Sequence, residues 1–347
     1  MSGFSPTPSR LAPDAPPHSK FPTPSPVPDP ASLPLELVIA RAEDIATGVR
    51  MFELRDPAGA PLPPFSAGSH ITVRVPNGAE RKYSLCNDPA ERDRYEIAVK
   101  RDTSGRGASV SLVDEARIGD RLNASLPDNA FALDERASGA IFVAGGIGIT
   151  PILAMIRTLE SRGETAWRLY YLVRDRASAP FADVLDDPAL RSRVKVHADG
   201  GDPARSFDLW PLFDKPGKAH VYCCGPRPLM DAVRDMTGHW PAGSIHFESF
   251  VDGAAMALPE DRAFTVRLAR SGREVAVPAG VTILDALRRS GHVHPSSCES
   301  GTCGTCKTRL LSGEPEHRDL VLAPDEQADH IMICVSRARS DVLELDL

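Results

Sequence analysis

Four cysteines in the last fifty residues constrain the fold of this 347-residue chain more than any other feature. Cys298, Cys303 and Cys306 follow a C-x4-C-x2-C spacing, and Cys334 comes after a further 27 residues. This spacing is typical of plant-type [2Fe–2S] sites, in which four thiolates hold the two irons. A structural zinc site also takes four cysteines, but it usually presents them as two short C-x2–4-C pairs. The pattern therefore favours an iron–sulfur cluster, which carries single electrons, with zinc as the alternative.

The residues around these cysteines suit a cluster loop. Small residues, among them Gly301 and Gly304, separate the first three cysteines. They let the backbone fold closely over a cluster and leave its N–H groups free to bond the sulfurs. The fourth cysteine falls in the apolar run 331–335, which is predicted to be a strand.

The composition is that of an ordinary globular chain, with 42% hydrophobic and 25% charged residues. A net charge of −7 and the absence of long Lys or Arg runs give no indication of nucleic-acid binding. No apolar stretch is long enough to span a membrane, and no secretory signal opens the sequence. The remaining Cys86, Cys223 and Cys224 do not form a disulfide framework. These features predict a cytoplasmic protein without a membrane or nucleic-acid partner.

The pattern of apolar and turn residues divides the chain into five segments. Residues 1–33 form a proline-rich tail that is predicted to be disordered. Short strands separated by turns in 34–136 predict an antiparallel β-barrel. Strands that alternate with helices in 137–250 predict an α/β domain with a parallel sheet. A linker, 251–262, leads to a third domain, 263–347, which carries the four cysteines.

The second domain opens with a glycine-rich loop that suits a dinucleotide. This loop reads G-G-I-G-I-T-P from Gly145 to Pro151 and lies between a buried apolar strand and a predicted helix. Its glycines would let a pyrophosphate approach the backbone at the positive end of the helix. Thr150 is expected to cap the helix, and the proline suits its first turn, where a missing N–H costs nothing. The alternative is a tight strand–helix turn without a ligand.

A second loop, Cys223-Cys224-Gly225-Pro226, also follows a strand and opens a helix. Parallel sheets bind ligands at the carboxyl ends of their strands, so both loops are expected at one edge. The thiol of Cys224 could lie against a flat ring, and Gly225 would allow close approach. The alternative is a buried cysteine that packs as a small hydrophobic residue.

The barrel segment contains one strand with groups that suit a flavin. Arg81 offers a cation for the phosphate, and Tyr83 and Ser84 offer polar contacts for the ribityl chain and the ring. Taken alone, this motif could equally be a strand with solvated basic residues.

A phosphate-binding loop is predicted after the next strand. It begins at Lys100 and continues into Gly105-Arg106-Gly107-Ala108-Ser109, just before a predicted helix at 109–116. Backbone N–H groups at the start of this helix, together with the Arg106 guanidinium, would bind a phosphate.

These strings match four motifs in order: R-x-Y-S, G-R-G-x-S, G-G-x-G-x-T-P and C-G-P. Together they resemble the motifs of the ferredoxin–NADP reductase superfamily. With the cysteine segment and the string F-E-S-F at 247–250, residues 34–347 resemble the phthalate dioxygenase reductase-like family. The resemblance implies an antiparallel β-barrel flavin domain, an α/β NAD domain and a β-grasp plant-type ferredoxin domain. The sequence departs from the pattern at Ala108, where relatives often carry a second glycine.

The resemblance also implies a function and its cofactors. It implies an NADH-dependent reductase that passes electrons from NADH to FMN, rather than FAD, and then to a [2Fe–2S] cluster. The acceptor would be a terminal oxygenase of the Rieske type, acting on an aromatic or similar small substrate, and we expect the reductase to be a monomer. A quinone or a haem monooxygenase as acceptor, and a scaffold without cofactors, are the alternatives. Arg174 and Arg176 follow the second sheet strand, where a 2′-phosphate would lie, and they leave NADPH open.

The resemblance assigns residues to each site. The residues expected at the FMN are Arg81, Tyr83, Ser84, Val99, Lys100, Arg106, Gly107, Ala108 and Ser109. The residues expected at the nicotinamide nucleotide are Gly145, Gly146, Gly148, Thr150, Pro151, Gly225 and Pro226. Cys224 is expected to position the nicotinamide, and Phe250 to pack near the flavin ring, as the catalytic residues.

Overall fold

The computed structural model describes residues 33–241, 243–251 and 257–347. Nearly all of the predicted proline-rich tail lies outside these residues, as do residues 252–256 of the predicted linker. Residues 33–347 form one compact unit, which contains three large sheets built from consecutive parts of the chain. No helix within the described ranges is long and apolar enough to cross a membrane.

The first sheet is the predicted antiparallel barrel. Its elements are β1 (Leu35–Ala46), β2 (Val49–Arg55), β3 (His70–Arg74), β4 (Glu80–Ser84), β5 (Tyr95–Lys100), α1 (Ala108–Glu115) and β6 (Arg121–Ala124). The strand order is β4-β3-β6-β1-β2-β5. The two edge strands meet where Leu85 bridges Ile97 and the Cys86 amide donates to the Glu96 carbonyl at 2.9 Å. This contact closes the sheet.

The barrel forms because its strands alternate buried and more exposed residues. Leu37 and Ile39 on β1 and Phe52 on β2 have at most 1% of their surface exposed. Burying side chains of this size contributes about 1.5–3 kcal/mol each. The interior is therefore apolar, and the polar flavin motifs lie where β4 and β5 meet the second domain.

The second sheet is the predicted parallel sheet. Its elements are β7 (Ala140–Gly145), α2 (Ile149–Ser161), β8 (Trp167–Val173), α3 (Ala182–Leu185), β9 (Val194–Ala198), α4 (Trp210–Phe213), β10 (His220–Cys224), α5 (Arg227–Met236) and β11 (Ile245–Glu248). The strand order is β11-β10-β7-β8-β9, and every pairing is parallel. The strand order reverses between β7 and β10, so the crevice at their carboxyl ends is the expected ligand site.

Helix α2 begins differently from the prediction. Its N-cap is Gly148, and no side chain caps it. Thr150 lies inside the first turn and donates its hydroxyl to the Ile147 carbonyl at 3.0 Å. The prediction that Thr150 caps this helix is therefore wrong, because the helix starts one residue before it.

The same helix joins the second domain to the barrel. Arg157 donates to the Cys86 carbonyl at 2.7 Å and to Glu96 Oε2 at 3.1 Å. Met51 of the barrel and Met155 of α2 belong to one buried hydrophobic cluster. The shared core holds the flavin motifs of the barrel against the carboxyl edge of the parallel sheet.

The third sheet forms the cysteine-bearing domain. Its elements, with those of a small two-stranded sheet, are β12 (Phe264–Leu268), β13 (Glu274–Val277), α6 (Ile283–Arg289), β14 (Lys307–Ser312), β15 (Pro315–Glu316), β16 (His330–Met332), β17 (Arg337–Ala338) and β18 (Val342–Leu345). The order β13-β12-β18-β14-β16 has one parallel pair, β12 with β18, as a β-grasp domain requires. Thr282 caps α6 as predicted, accepting from the Asp285 amide at 3.0 Å.

One strand prediction in this domain is wrong. The run 331–335 was expected to be a strand, but β16 ends at Met332 and Cys334 lies two residues beyond it, in a turn. The backbone leaves the sheet there because the Val335 and Ser336 amides bond back to the Met332 carbonyl. This turn points the fourth cysteine away from the sheet and toward the other three.

The third domain also packs on the second. Leu320 is buried in the hydrophobic cluster beside α5 and β10. Arg227 of α5 donates to the Arg318 carbonyl at 2.9 Å, and the Leu320 amide donates to the Gly301 carbonyl of the cysteine loop at 2.9 Å. The cysteine loop is therefore supported on the side that faces the parallel sheet.

A histidine pair lies at the amino-terminal edge of the parallel sheet, away from the ligand crevice. His220 Nδ1 and His246 Nε2 are 3.0 Å apart, and the His246 ring stacks on Tyr222 with centroids 4.5 Å apart. Burial, helped by the neighbouring His220, lowers the pKa of His246 to about 4. The folded protein thus holds this ring neutral.

We expect the free energy of unfolding to decrease as the pH falls from about 6.5 to about 4. The unfolded chain protonates His246 near pH 6.5, whereas the folded chain does so only near pH 4, so protons favour unfolding within this window and not above it. Because the ring is partly exposed, we expect a loss of only about 1–2 kcal/mol. Denaturant unfolding at pH 5.0 and 7.5 measures this loss. The variant His246→Phe keeps the stacking, and its free energy of unfolding should decrease less between pH 7.5 and pH 5.0. An equal decrease in the variant and the wild type would contradict the assignment of this effect to His246.

Candidate functional site

A cavity of about 470 Å³ lies between the barrel and the carboxyl edge of the parallel sheet. Most of the predicted FMN residues line it, with one nucleotide-loop residue and the predicted catalytic aromatic. These lining residues are Arg81, Tyr83, Ser84, Val99, Lys100, Arg106, Ala108, Ser109, Thr150 and Phe250. Residues from five separate stretches of sequence thus meet around one space, which is of the size that small-molecule sites occupy.

One end of this cavity is suited to a phosphate. Helix α1 begins at Ala108, and Gly107, with φ +87°, is its N-cap. No side chain caps the helix and its first turn has no acidic residue, so its first N–H groups are available to an anion. Lys100 and Arg106 add positive charge to the same wall. The Asp102 amide donates to Ser109 Oγ at 3.1 Å, which holds the loop in this shape.

The hydroxyl of Tyr83 supports a polar ligand in the cavity. It is buried, and it has no hydrogen-bond partner within the described residues. Burial raises the pKa of Tyr83 to about 12, so the group is a neutral donor. An unsatisfied buried hydroxyl costs about 1–3 kcal/mol, and a ligand with polar groups would remove that cost. Together with the phosphate end, this hydroxyl fits a flavin nucleotide.

Sequence reasoning missed Glu248, a partly buried acid beside the cavity. Glu248 Oε2 accepts a hydrogen bond from Ser84 Oγ at 3.2 Å. Burial raises the pKa of Glu248 to about 8, so its carboxyl group holds a proton at neutral pH. Glu248 pairs with Cys224 across β10 and β11. The signal for it was present in the F-E-S-F string, from which only Phe250 was selected.

The two glycine loops of the parallel sheet pack against each other. A Cβ on Gly148 would lie 2.2 Å from the Cys224 carbonyl oxygen. A Cβ on Gly145 would lie 2.6 Å from Pro226 Cδ, and one on Gly225 would lie 3.0 Å from Gly145 Cα. The two loops are so close that a side chain at any of these three positions would collide with the other loop. The spacing of the glycines in the sequence did not reveal this contact. Their direct contact with a pyrophosphate stays a prediction.

Gly146 differs from these three glycines. Its φ is +55°, and a Cβ there would meet no atom within 4 Å. It therefore faces open space at the start of α2 and is free for a nucleotide to approach. Pro151 is buried in the first turn of this helix, as expected.

Cys224 is fully buried at the end of β10. Burial, with the Glu248 carboxyl nearby, raises the pKa of its thiol well above the usual range. The group is therefore a neutral thiol, which can pack against a ligand or donate a weak hydrogen bond. Its contact with nicotinamide stays a prediction, as does the contact of Phe250, which lines the cavity with 47% of its surface exposed.

The four predicted cluster ligands form two pairs. A hydrogen bond from Cys303 is the main cause of a lowered pKa at Cys298, and one from Cys334 does the same at Cys306. Two thiols for each iron is the arrangement that a [2Fe–2S] cluster requires. This pairing of the four thiols fits a two-iron cluster.

The cysteine loop folds over its ligands as predicted. The Ser300 amide donates to Cys298 Sγ at 3.4 Å. Gly301 has φ +74°, and a Cβ there would lie 2.7 Å from Val335 Cγ2. Only glycine permits this backbone path, which brings the loop against the turn that contains Cys334.

A smaller cavity of about 220 Å³, the connecting cavity, lies between the flavin-type cavity and the cysteine loop. Arg81, Lys82, Ser84 and Phe250 line both cavities. Cys298 and Ser300 also line the connecting cavity. The first predicted cluster ligand therefore lines a cavity that shares lining residues with the flavin-type cavity.

Two family models match the chain. Residues 36–132 match the oxidoreductase FAD-binding domain, and residues 266–339 match the 2Fe-2S iron-sulfur cluster binding domain. The flavin-type barrel and the cluster domain inferred from the sequence are thereby confirmed.

Relatives cover nearly the whole chain. The phthalate dioxygenase reductase of Burkholderia cepacia is 57% identical over 315 residues, which cover 90% of this chain and 97% of the relative. A tetrachlorobenzoquinone reductase of Sphingobium chlorophenolicum is 40% identical over 320 residues, which cover 90% of this chain and 98% of the relative. A solved phthalate dioxygenase reductase, described as a modular structure for electron transfer from pyridine nucleotides to [2Fe-2S], is 56% identical. It aligns with a TM-score of 0.67 and covers 90% of this chain and 98% of its own.

Proposed function

This chain belongs to the phthalate dioxygenase reductase family, and from that membership we propose that it passes electrons from NADH through FMN and a [2Fe–2S] cluster to a Rieske-type oxygenase. The proposal is supported by the connecting cavity, which is lined both by Cys298 and by residues of the flavin-type cavity. A bound flavin accepts two electrons as hydride and releases them singly, which links a nicotinamide donor to a one-electron cluster. The chain itself must bind, align and separate the three centres.

The residues have distinct tasks in this proposal. The start of α1 binds the flavin phosphate, and Tyr83 and Ser84 bind its polar groups. The open face of Gly146 and the start of α2 receive the pyrophosphate of NADH. Phe250 covers the flavin ring until the nicotinamide arrives. Glu248 lines the connecting cavity and accepts the hydrogen bond of Ser84 there.

FMN, rather than FAD, is part of the proposal. The phosphate end of the flavin-type cavity is a helix start beside Lys100 and Arg106, which suits a terminal phosphate. The matching family model is described as FAD-binding. Chromatography of the flavin released on denaturation decides between the two, and release of FAD would overturn this part.

The proposed preference for NADH over NADPH can be tested at Arg174, which follows the end of β8. Arg174 follows this strand, and its carbonyl accepts from the Gly200 amide at 2.7 Å. Arg176, nearby, is engaged by Asp186. We expect Arg174→Ala to leave kcat/KM with NADH nearly unchanged, because NADH has no 2′-phosphate for this guanidinium to bind. Steady-state rates with NADH and NADPH measure this, with Lys195→Ala as a charge-matched control. A large loss confined to NADPH would show that the protein is built for NADPH.

The acceptor is proposed from potentials and from the relatives. Plant-type clusters lie near about −400 mV and Rieske centres at roughly −150 to +300 mV, so transfer to a Rieske oxygenase is downhill. The relative named as a tetrachlorobenzoquinone reductase makes a quinone the second candidate. Reduction of a purified Rieske oxygenase and of a quinone, compared at equal concentrations, separates the two. We further propose a monomer that works in the cytoplasm, where cysteines that form no disulfide are expected.

An anaerobic titration with NADH, followed across the visible spectrum, tests the central proposal. Bleaching of both the flavin and the cluster bands is expected. Flavin bleaching without any cluster band would remove the electron route and leave the third domain with zinc or no metal.

A further inference from the structure

The ferredoxin domain is bound to the barrel through the residue that precedes its first cluster ligand. Ser297 Oγ donates to Asp128 Oδ2 at 2.8 Å. Lys82 Nζ donates to the carbonyl oxygen of the same serine. Lys82, Asp128 and Ser297 are called the barrel clamp below. The clamp joins residues more than 160 positions apart in sequence, and it ends one residue before Cys298.

Both barrel residues of the clamp come from fixed backbone. The Asp128 amide donates to the His70 carbonyl at 3.0 Å, and the His70 amide donates to the Asp128 carbonyl at 2.8 Å. Lys82 is the middle residue of β4 and pairs with Thr72 of β3. A change of either side chain therefore removes a bond to Ser297 without removing the backbone support beneath it.

The clamp also lies close to the electron path. Lys82 itself lines the flavin-type cavity, as do its neighbours Arg81 and Tyr83. Lys82 and Cys298 both line the connecting cavity. One short strand therefore contacts both the flavin-type cavity and the cysteine loop. Within its own domain the cysteine loop is held by Arg288, which donates to Ser296 Oγ and Glu299 Oε1, both at 2.6 Å. Its contacts at Leu320 and Arg318 lie on the side of the parallel sheet.

We propose that the barrel clamp positions the cluster for electron transfer from the flavin, so that Lys82 and Asp128 set the rate of this step and not that of flavin reduction. The inference rests on the proposed function. A displacement of about 1 Å at a reacting centre can cost about 100-fold in rate. Without the clamp, the contacts of Leu320 and Arg318 would keep the domain attached, but the loop before Cys298 would move relative to the flavin.

Stopped-flow mixing of the complete holoprotein with NADH tests the Asp128 bond. Asp128→Ala and Ser297→Ala should each slow bleaching of the cluster band about tenfold or more, while bleaching of the flavin band keeps its rate. The double variant should be no slower than either single variant, because all three remove the same hydrogen bond. Hydrogen exchange of residues 292–299 should accelerate in all three, which reports loop movement without electron transfer.

Two substitutions test Lys82, one that removes its positive charge and one that restores it. Lys82→Met should slow the cluster phase, and Lys82→Arg should restore it, since a guanidinium can also donate to the Ser297 carbonyl. Arg74→Met is the matched control. It removes a cation from the same hairpin, but the partner of Arg74 is Glu80, at 2.7 Å, and not the cysteine loop. This control should leave both phases and the exchange of 292–299 unchanged.

Each outcome is decisive. A wild-type protein without a cluster phase would end the proposed function itself. A normal wild-type cluster phase that Asp128→Ala, Ser297→Ala and Lys82→Met all leave unchanged would overturn the clamp alone. Equal slowing of the flavin and cluster phases in Lys82→Met would place Lys82 in flavin binding and would also overturn its role in the clamp.

Discussion

Replacing Cys303 with serine is expected to abolish reduction of cytochrome c while the flavin is still reduced by NADH. Cys303 is paired with Cys298, and the pair would provide both protein ligands that one iron of the proposed cluster needs. A serine hydroxyl is a harder and much weaker ligand for iron–sulfur clusters than a thiolate. The flavin-type cavity does not contain Cys303, so its nucleotide chemistry should continue. Anaerobic spectra with NADH, followed by cytochrome c reduction, measure both parts.

Cys86→Ser is the matched control for this experiment. Cys86 is a fully buried thiol in the barrel, and its Sγ donates to the Glu96 carbonyl at 3.2 Å, which a serine hydroxyl can also do. This variant should keep the cluster band and the output. Cytochrome c reduction at the full rate in Cys303→Ser would mean that electrons leave from the flavin and that the cluster is not on the route.

The cluster domain was predictable because its ligands follow from local spacing. Cys298, Cys303 and Cys306 lie in one loop, and small residues between them fix how that loop can fold. The placement of Cys334 was less predictable. Its apolar neighbours indicated a strand, whereas the backbone bonds back to Met332 and turns the cysteine inward. A periodic pattern cannot report a turn that tertiary packing imposes.

The contacts that link the domains were not predictable from one sequence. Ser84 meets Glu248 across 164 positions, and Lys82 meets Ser297 across 215. Lys82 occupies the variable position of the R-x-Y-S string, so the motif gave no reason to select it. Such pairs arise only when three separately recognisable domains are docked, and no local pattern encodes the docking.

The glycine loops show a different limit. The G-G-x-G-x-T-P string correctly located a loop between β7 and α2, and the C-G-P string located its neighbour after β10. Sequence reasoning gave every glycine to the ligand. In the structure, Gly145, Gly148 and Gly225 serve the contact between the two loops, and Gly146 alone among these four faces open space.

That distinction leads to a large expected effect for Gly148→Ala. Its backbone angles, φ −63° and ψ −2°, suit alanine, so the effect comes from the added methyl group alone. The Cβ would lie 2.2 Å from the Cys224 carbonyl oxygen and 2.9 Å from the Gly225 amide nitrogen. Neither atom belongs to a flexible side chain, so the two loops must separate by about 1 Å to reach ordinary contact. Overpacking of this kind costs about 1–3 kcal/mol of stability.

The same separation would misplace the nicotinamide ring against the flavin. We expect reduction of the flavin by NADH to slow about 100-fold, while flavin content and the cluster band remain, because Gly148 lines neither the flavin-type cavity nor the connecting cavity. Stopped-flow kinetics measure the rate of flavin reduction, the flavin content shows whether the cofactor is retained, and the unfolding midpoint measures the loss of stability. Gly217→Ala is the control in the same domain, since its Cβ would meet its nearest neighbours at 3.8 Å. Hydride transfer at the wild-type rate in Gly148→Ala would mean that the junction of the two loops does not hold the nicotinamide, and the NADH site would then have to lie elsewhere on the sheet.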